Sequence, residues 1–190
     1  MENELIKYIS RFISLNEEEK KALIENNPIL TFKKGTILLR EGEVATRCWF
    51  VIKGCVRQYF LKDGDEKTTA FYTEEQTIVP SSANEQQTPS KYYLSCVEES
   101  RLVVTYLDRI PEMYEKFPKF ESISLILAGK MYEDSSESFA SFRTSSPEER
   151  YRNLLKTRPE LLQRVPQHQI ASYLGITPES LSRIRKRISL

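Results

Sequence analysis

The stretch that decides the fold is Pro166-Gln167-His168-Gln169-Ile170-Ala171-Ser172-Tyr173-Leu174-Gly175-Ile176-Thr177-Pro178-Glu179-Ser180-Leu181-Ser182-Arg183-Ile184-Arg185-Lys186-Arg187. Ala171 and Gly175 lie four apart and Leu181 six beyond the glycine, with Ile170, Leu174, Ile176 and Ile184 around them as a shared core. Two helices crossing near a right angle need a small residue where they approach, which Ala171 supplies. The tight turn between them needs a residue that tolerates positive φ, which Gly175 supplies. Thr177 is placed to cap the second helix and Pro178 to take its first position. That helix carries Leu181, Ile184 and Ile188 on one side and Glu179, Ser180, Ser182, Arg183, Lys186 and Arg187 on the other. Arg can fork to guanine O6 and N7, and Ser or Thr can reach base edges, so the polar side suits the major groove of double-stranded DNA. The pattern is a helix-turn-helix whose candidate DNA contacts are Gln167, His168, Gln169, Thr177, Glu179, Ser180, Ser182, Arg183, Arg185, Lys186 and Arg187. His168 opens the first helix, where it can donate to a phosphate or simply be solvated.

Charge supports this placement. The chain of 190 residues has 28 Lys+Arg, 27 Asp+Glu and a formal net charge of +1. Residues 1–142 hold 18 basic and 23 acidic residues (net −5), whereas residues 143–190 hold 10 and 4 (net +6). An acidic body with a basic end points to two jobs in one chain. A solvated basic helix is the plainer alternative.

Composition narrows the rest. Hydrophobic residues make up 39%, enough for a packed core. No apolar run approaches the ~18 residues of a membrane span, and Met1-Glu2-Asn3-Glu4 is no basic leader, so a cytoplasmic protein with no membrane partner is expected. Cys48, Cys55 and Cys96 stand apart, without the pairing of a disulfide framework or zinc knuckle. A single histidine, His168, excludes a multi-histidine metal site. No metal and no cofactor is expected. Nor does the chain offer a nucleophile–histidine arrangement or a Gly-rich phosphate loop, so it does not read as an enzyme.

Upstream of the helix-turn-helix, Ser145-Ser146-Pro147 breaks a long helical segment and Pro147 opens a helix over 148–156. The domain boundary is placed here, giving units 1–143 and 144–190. The long helix (about 118–143) carries an apolar stripe that includes Ile123, Ile126, Leu127 and Met131. Such a stripe suits a symmetry mate in a dimer, or the chain's own β-domain, or each at different turns. Residues 29–108 read as a small all-β domain, with short β-branched and aromatic runs separated by Lys34-Gly35, Glu41-Gly42, Lys53-Gly54 and Asp63-Gly64-Asp65. The last of these, between Phe60-Leu61 and Thr68–Tyr72, is a hairpin signal. Two helices precede the strands, the second opened by the capping-box pattern Asn16-x-x-Glu19.

Two blocks carry a resemblance. Phe32-x-x-Gly35-x-x-Leu38-x-x-Glu41-Gly42 followed by Phe50-Val51-Ile52-x-Gly54-x-Val56-x-x-Tyr59 is similar to the cyclic-nucleotide-binding jelly roll. Joined by a long helix to the helix-turn-helix, it resembles the bacterial cyclic-AMP receptor protein/fumarate-nitrate regulator superfamily, in a short, wingless subgroup typical of Bacteroidota. The resemblance implies an α+β chain: an N-terminal β-roll (double-stranded β-helix or jelly roll) with flanking helices, a long dimerisation helix and a C-terminal helix-turn-helix. It further implies a homodimeric transcription regulator, with double-stranded DNA, a second copy and RNA polymerase as partners.

Three departures qualify it. Where cyclic-AMP binders carry Gly-Glu and a later Arg, this chain has Val79-Pro80 and Pro89. Proline offers neither a backbone donor nor a charge to a phosphate, so cyclic AMP is not the expected effector. The pocket is expected around Val79, Ser81, Ser82, Ser90 and Lys91. No wing is expected after the reading helix, since the sequence stops at Leu190. Pro178 stands where the family has a base-reading Arg, while Glu179 and Arg183 match. The alternative from another class is a small-molecule sensor or protein-interaction module without DNA binding.

Overall fold

The computed structural model describes residues 3–80 and 88–188. Two helices, α1 (Glu4–Ile9) and α2 (Glu17–Asn26), lead into eight strands: β1 (Ile29–Phe32), β2 (Ile37–Leu39), β3 (Arg47–Lys53), β4 (Val56–Lys62), β5 (Asp65–Tyr72), β6 (Thr77–Ile78), β7 (Tyr93–Cys96) and β8 (Ser100–Tyr106). Six helices follow: α3 (Ile110–Lys116), α4 (Pro118–Thr144), α5 (Pro147–Thr157), α6 (Leu161–Arg164), α7 (Gln167–Tyr173) and α8 (Pro178–Ile188). The class is α+β, with a roll, a long helix and a C-terminal helical group in the expected order.

The strands form two antiparallel four-stranded sheets, β1-β8-β3-β6 and β2-β7-β4-β5. The β4–β5 hairpin pairs Lys62 with Asp65 and turns on Asp63 and Gly64, both at positive φ (54° and 83°). This is the two-residue turn whose twist matches flanking strands. Strand alternation gives each sheet two apolar faces. The inward residues Trp49, Val51, Val56, Leu94, Cys96, Leu102 and Val104 fill the roll. Phe50, Ile52, Ile29 and Val103, on the opposite face of the first sheet, are covered by α1 residues Leu5, Tyr8 and Ile9 and by Phe120 and Ile123 of α4. Phe71, on the opposite face of the second sheet, joins Cys55 and Val97 in a core with α5 to α8. The roll is thus packed between helices on both sides.

The helix boundaries follow local chemistry. Asn16 and Glu19 form a reciprocal capping box at α2, with Glu19 N–H on Asn16 Oδ1 at 2.8 Å and Asn16 N–H on Glu19 Oε2 at 2.7 Å. Ser146 and Glu149 repeat it at α5, with Pro147 in the first turn. α1 ends at Ile9, short of the Phe12 and Ile13 that continue its apolar spacing, and both of their amides turn back to the Ile9 carbonyl (2.9 and 3.2 Å).

Candidate nucleic-acid interface

α7 and α8 are joined at Gly175, whose φ is +69°. Ile170, Ala171, Leu174, Leu181 and Ile184 are buried in the core shared with Tyr151, Leu154, Leu161 and Val165. The Thr177 hydroxyl accepts the Ser180 amide (3.3 Å) and donates to Ser180 Oγ (3.2 Å), which starts α8. A hydrogen bond from its own backbone N–H, then one from Thr177, hold the Glu179 carboxyl below the ordinary carboxylate range, and the Arg183 charge adds to this. With Leu181 and Ile184 turned inward, Ser182, Arg183, Arg185, Lys186 and Arg187 are all exposed on the other side of α8. Arg187 also pairs with Glu148 of α5 at 3.1 Å. Gln167 and His168 are exposed at the start of α7. Gln169 is half-buried, with its Oε1 buried and without a hydrogen-bond partner among the described residues.

Arg150, Arg158 and Arg164 of the basic C-terminal end are turned back onto the protein. Arg164 grips the roll: it donates to both Glu74 oxygens (2.8 Å each) and to Glu98 Oε1 (2.9 and 2.6 Å). Burial alone would raise the Glu74 carboxyl, but the bonds from Arg164 and from the Gly54 N–H outweigh it and hold the carboxyl low. Arg158 donates to the Phe71 carbonyl (3.0 Å), Thr73 Oγ1 (3.0 Å) and Gln76 Oε1 (3.4 Å). Among the described residues Arg150 donates to backbone carbonyls alone, those of Phe142, Ser145 and Leu174. Ser172 of α7 adds a further tie. Its Oγ accepts the Thr68 amide and donates to the Glu66 carbonyl, both at 2.9 Å, satisfying groups on the free edge of β5. Sequence reading missed this seam because its partners lie 66–106 residues apart along the chain.

Residues 29–117 match the family model of the cyclic nucleotide-binding domain. A crp/fnr-family transcriptional regulator structure from Eubacterium rectale superposes with a TM-score of 0.72 at 18% identity, covering 96% of this chain and 88% of that one. The Xanthomonas campestris global regulator CLP, described as c-di-GMP responsive, superposes with a TM-score of 0.71 at 16% identity, covering 89% of each chain. FixK2 from Bradyrhizobium japonicum gives a TM-score of 0.69 at 16% identity, covering 86% of this chain and 84% of that one. The fold is that of the CRP/FNR regulators. No curated protein sequence matches the chain.

Within this CRP/FNR fold the other expected residues are dispersed. Val79 is exposed, and so is Lys91. Ser90 is buried, but its hydroxyl donates to the Tyr92 carbonyl at 2.8 Å within its own turn. Ser81 and Ser82 lie outside the described residues. The roll interior is largely aliphatic, with Trp49 and Tyr92 buried in it and Phe60 and Tyr72 partly buried against it. Trp49 Nε1 is buried without a partner among the described residues.

On α4, Ile123 is 4% exposed and Leu127 is half-buried against the same core, so both face the chain's own roll. Ile126 is exposed and Met131 half-buried. A second stripe on α4 is Leu125, Tyr132 and Phe139, which are 69%, 76% and 63% exposed; of these only Phe139 belongs to the stripe read from the sequence. Their spacing of seven was legible, although periodicity alone does not say which stripe a helix buries at home. No helix among the described residues is long and apolar enough to cross a membrane.

Proposed function

We propose that the chain is a DNA-binding transcription regulator that works as a homodimer, with α8 of each protomer entering one major-groove half-site. The observation that carries this is the division of α8. Leu181 and Ile184 lock it to its own domain, while Ser182, Arg183, Arg185, Lys186 and Arg187 stand outward. Gln167, His168, Thr177, Glu179 and Ser180 complete the DNA-facing set, with the α7 N-terminus set toward phosphates. Gln169 points into the domain and acts from behind them.

The homodimer reading is supported by α4. Leu125, Tyr132 and Phe139 repeat every seven residues, with the small Gly129 and Ser136 between them. This is a coiled-coil stripe that a second copy can cover, and Ile126 and Met131 lie beside it. The roll serves as an effector-type domain whose effector is not cyclic AMP. Val79-Pro80 and Pro89 offer neither the ribose carboxylate nor the phosphate cation, and Lys91 is exposed. The domain division is 1–143 and 144–190.

Selection of binders from a pool of random duplexes tests the reading. Paired half-sites one helical turn apart, ~34 Å centre to centre, are expected. Affinity is expected to fall linearly in log K against log salt, by about 0.9 per phosphate neutralised. A failure to enrich any sequence above the starting pool would overturn it and leave a sensor or interaction module. Calorimetry with cyclic AMP is expected to show no binding heat, and submicromolar binding would refute the effector reading.

A further inference from the structure

The link between α4 and the C-terminal helices is short, Ser145-Ser146. The Arg158, Arg164 and Ser172 ties hold those helices to the roll, and Arg150 adds a separate tie to the end of α4. Its Nε donates to the carbonyl of Leu174, the C-cap residue of α7, at 3.0 Å. One of its terminal nitrogens donates to the carbonyls of Phe142 (3.2 Å) and Ser145 (2.8 Å) at the end of α4. One guanidinium thus satisfies orphan carbonyls at two helix C-termini, where a cation is also favoured by both helix dipoles. The planar group lies 4.4 Å from the Phe142 ring centroid. That ring reaches into the turn between α7 and α8, where a Cβ added at Gly175 would sit 3.0 Å from Phe142 Cζ. The last aromatic of α4, the arginine of α5 and the helix-turn-helix turn therefore form one packed knot.

We infer that Arg150 is a positioning residue that locks the reading helix to its own α4, so that half-site spacing is set by the α4 pair and not by the Ser145-Ser146 link. The spacing clause rests on the DNA-binding reading; the locking itself does not. The Nε and one terminal nitrogen of Arg150 are given to the protein's own carbonyls.

Two arms test this. In a Cys48→Ser background, nitroxide labels at Glu137→Cys on α4 and Ser182→Cys on α8 report their separation within one protomer, after dilution into excess unlabelled protein. A single narrow distance distribution is expected with Arg150 intact. Arg150→Ala should broaden it by about two-fold or more. Arg150→Lys keeps the charge but loses the planar fork whose Nε and terminal nitrogen reach two helix ends, and should broaden it partway. If Arg150→Ala does not fold, Arg150→Lys and Phe142→Leu carry the test. Unchanged width in the folded variants overturns the inference.

In the second arm, unlabelled parent and Arg150→Lys proteins are put through the duplex selection. The variant should return the parental half-site sequence with scattered spacing, and parental spacing with parental sharpness would overturn the inference. Should the parent select no paired half-sites while the labels still respond to Arg150, the DNA reading fails and the locking stands.

Discussion

Replacing Arg164 by Met removes the grip on the roll while keeping an aliphatic stem in place. Arg164 makes four charge-assisted bonds, a two-pronged fork to Glu74 and two bonds to Glu98 Oε1, with its side chain 22% exposed. Buried hydrogen bonds to charged groups contribute roughly 1.5–3 kcal/mol each. The partner carboxylates are 39% and 32% exposed, so water screens them and re-solvates them once the arginine is gone. After that discount the whole grip is worth about 2 kcal/mol, or roughly 30-fold in the folding equilibrium. Urea unfolding at neutral pH should show that loss. Hydrogen exchange at the Thr68 amide should quicken, because its acceptor, Ser172 Oγ, sits on the same seam.

The effect has a pH sign. The Glu74 carboxyl is held below its ordinary value of 4.5, so its contribution is full above that value and fades as pH falls through the lowered one. The difference between parent and Arg164→Met should therefore shrink toward pH 3. A double-mutant cycle with Glu74→Gln isolates the pair. If Arg164→Met costs less than about 0.5 kcal/mol at neutral pH with Thr68 exchange unchanged, the seam is not the anchor described.

Leu181 is 1% exposed in the C-terminal core, and Leu181→Ala should lower unfolding stability by about 2–5 kcal/mol with loss of duplex binding. A stability unchanged in chemical denaturation would place α8 outside that core. Tyr132→Glu, at the centre of the exposed α4 stripe, should shift sedimentation from dimer toward monomer without altering the far-ultraviolet spectrum. A parental sedimentation profile would mean that this stripe is not the dimer contact.

Much of the architecture is legible in local sequence. Asp63-Gly64 sets a two-residue hairpin, Asn16 with Glu19 and Ser146 with Glu149 set helix starts, and Ala171, Gly175 and Leu181 set the helical pair. What local sequence could not show is which face meets which. Ile123 and Leu127 read as well for a partner as for the roll, and only the packing of α4 against Phe50 and Val103 decides that they turn inward. Arg150, Arg158 and Arg164 add to a basic excess by count, yet their charge is directed at Glu74, Glu98 and main-chain carbonyls. Gln169 follows two exposed polar residues, Gln167 and His168, and still turns its Oε1 inward.

The most direct test of the central claim is fluorescence anisotropy with a selected duplex and a scrambled one, for parent and Arg183→Ala at the same salt. Arg183→Ala should weaken binding to the selected duplex by about 1–3 kcal/mol, roughly 5- to 150-fold, relax the preference at one base position, and change scrambled-duplex binding little. Equal loss on both duplexes, or no loss on either, would contradict a base-reading role for the outer side of α8.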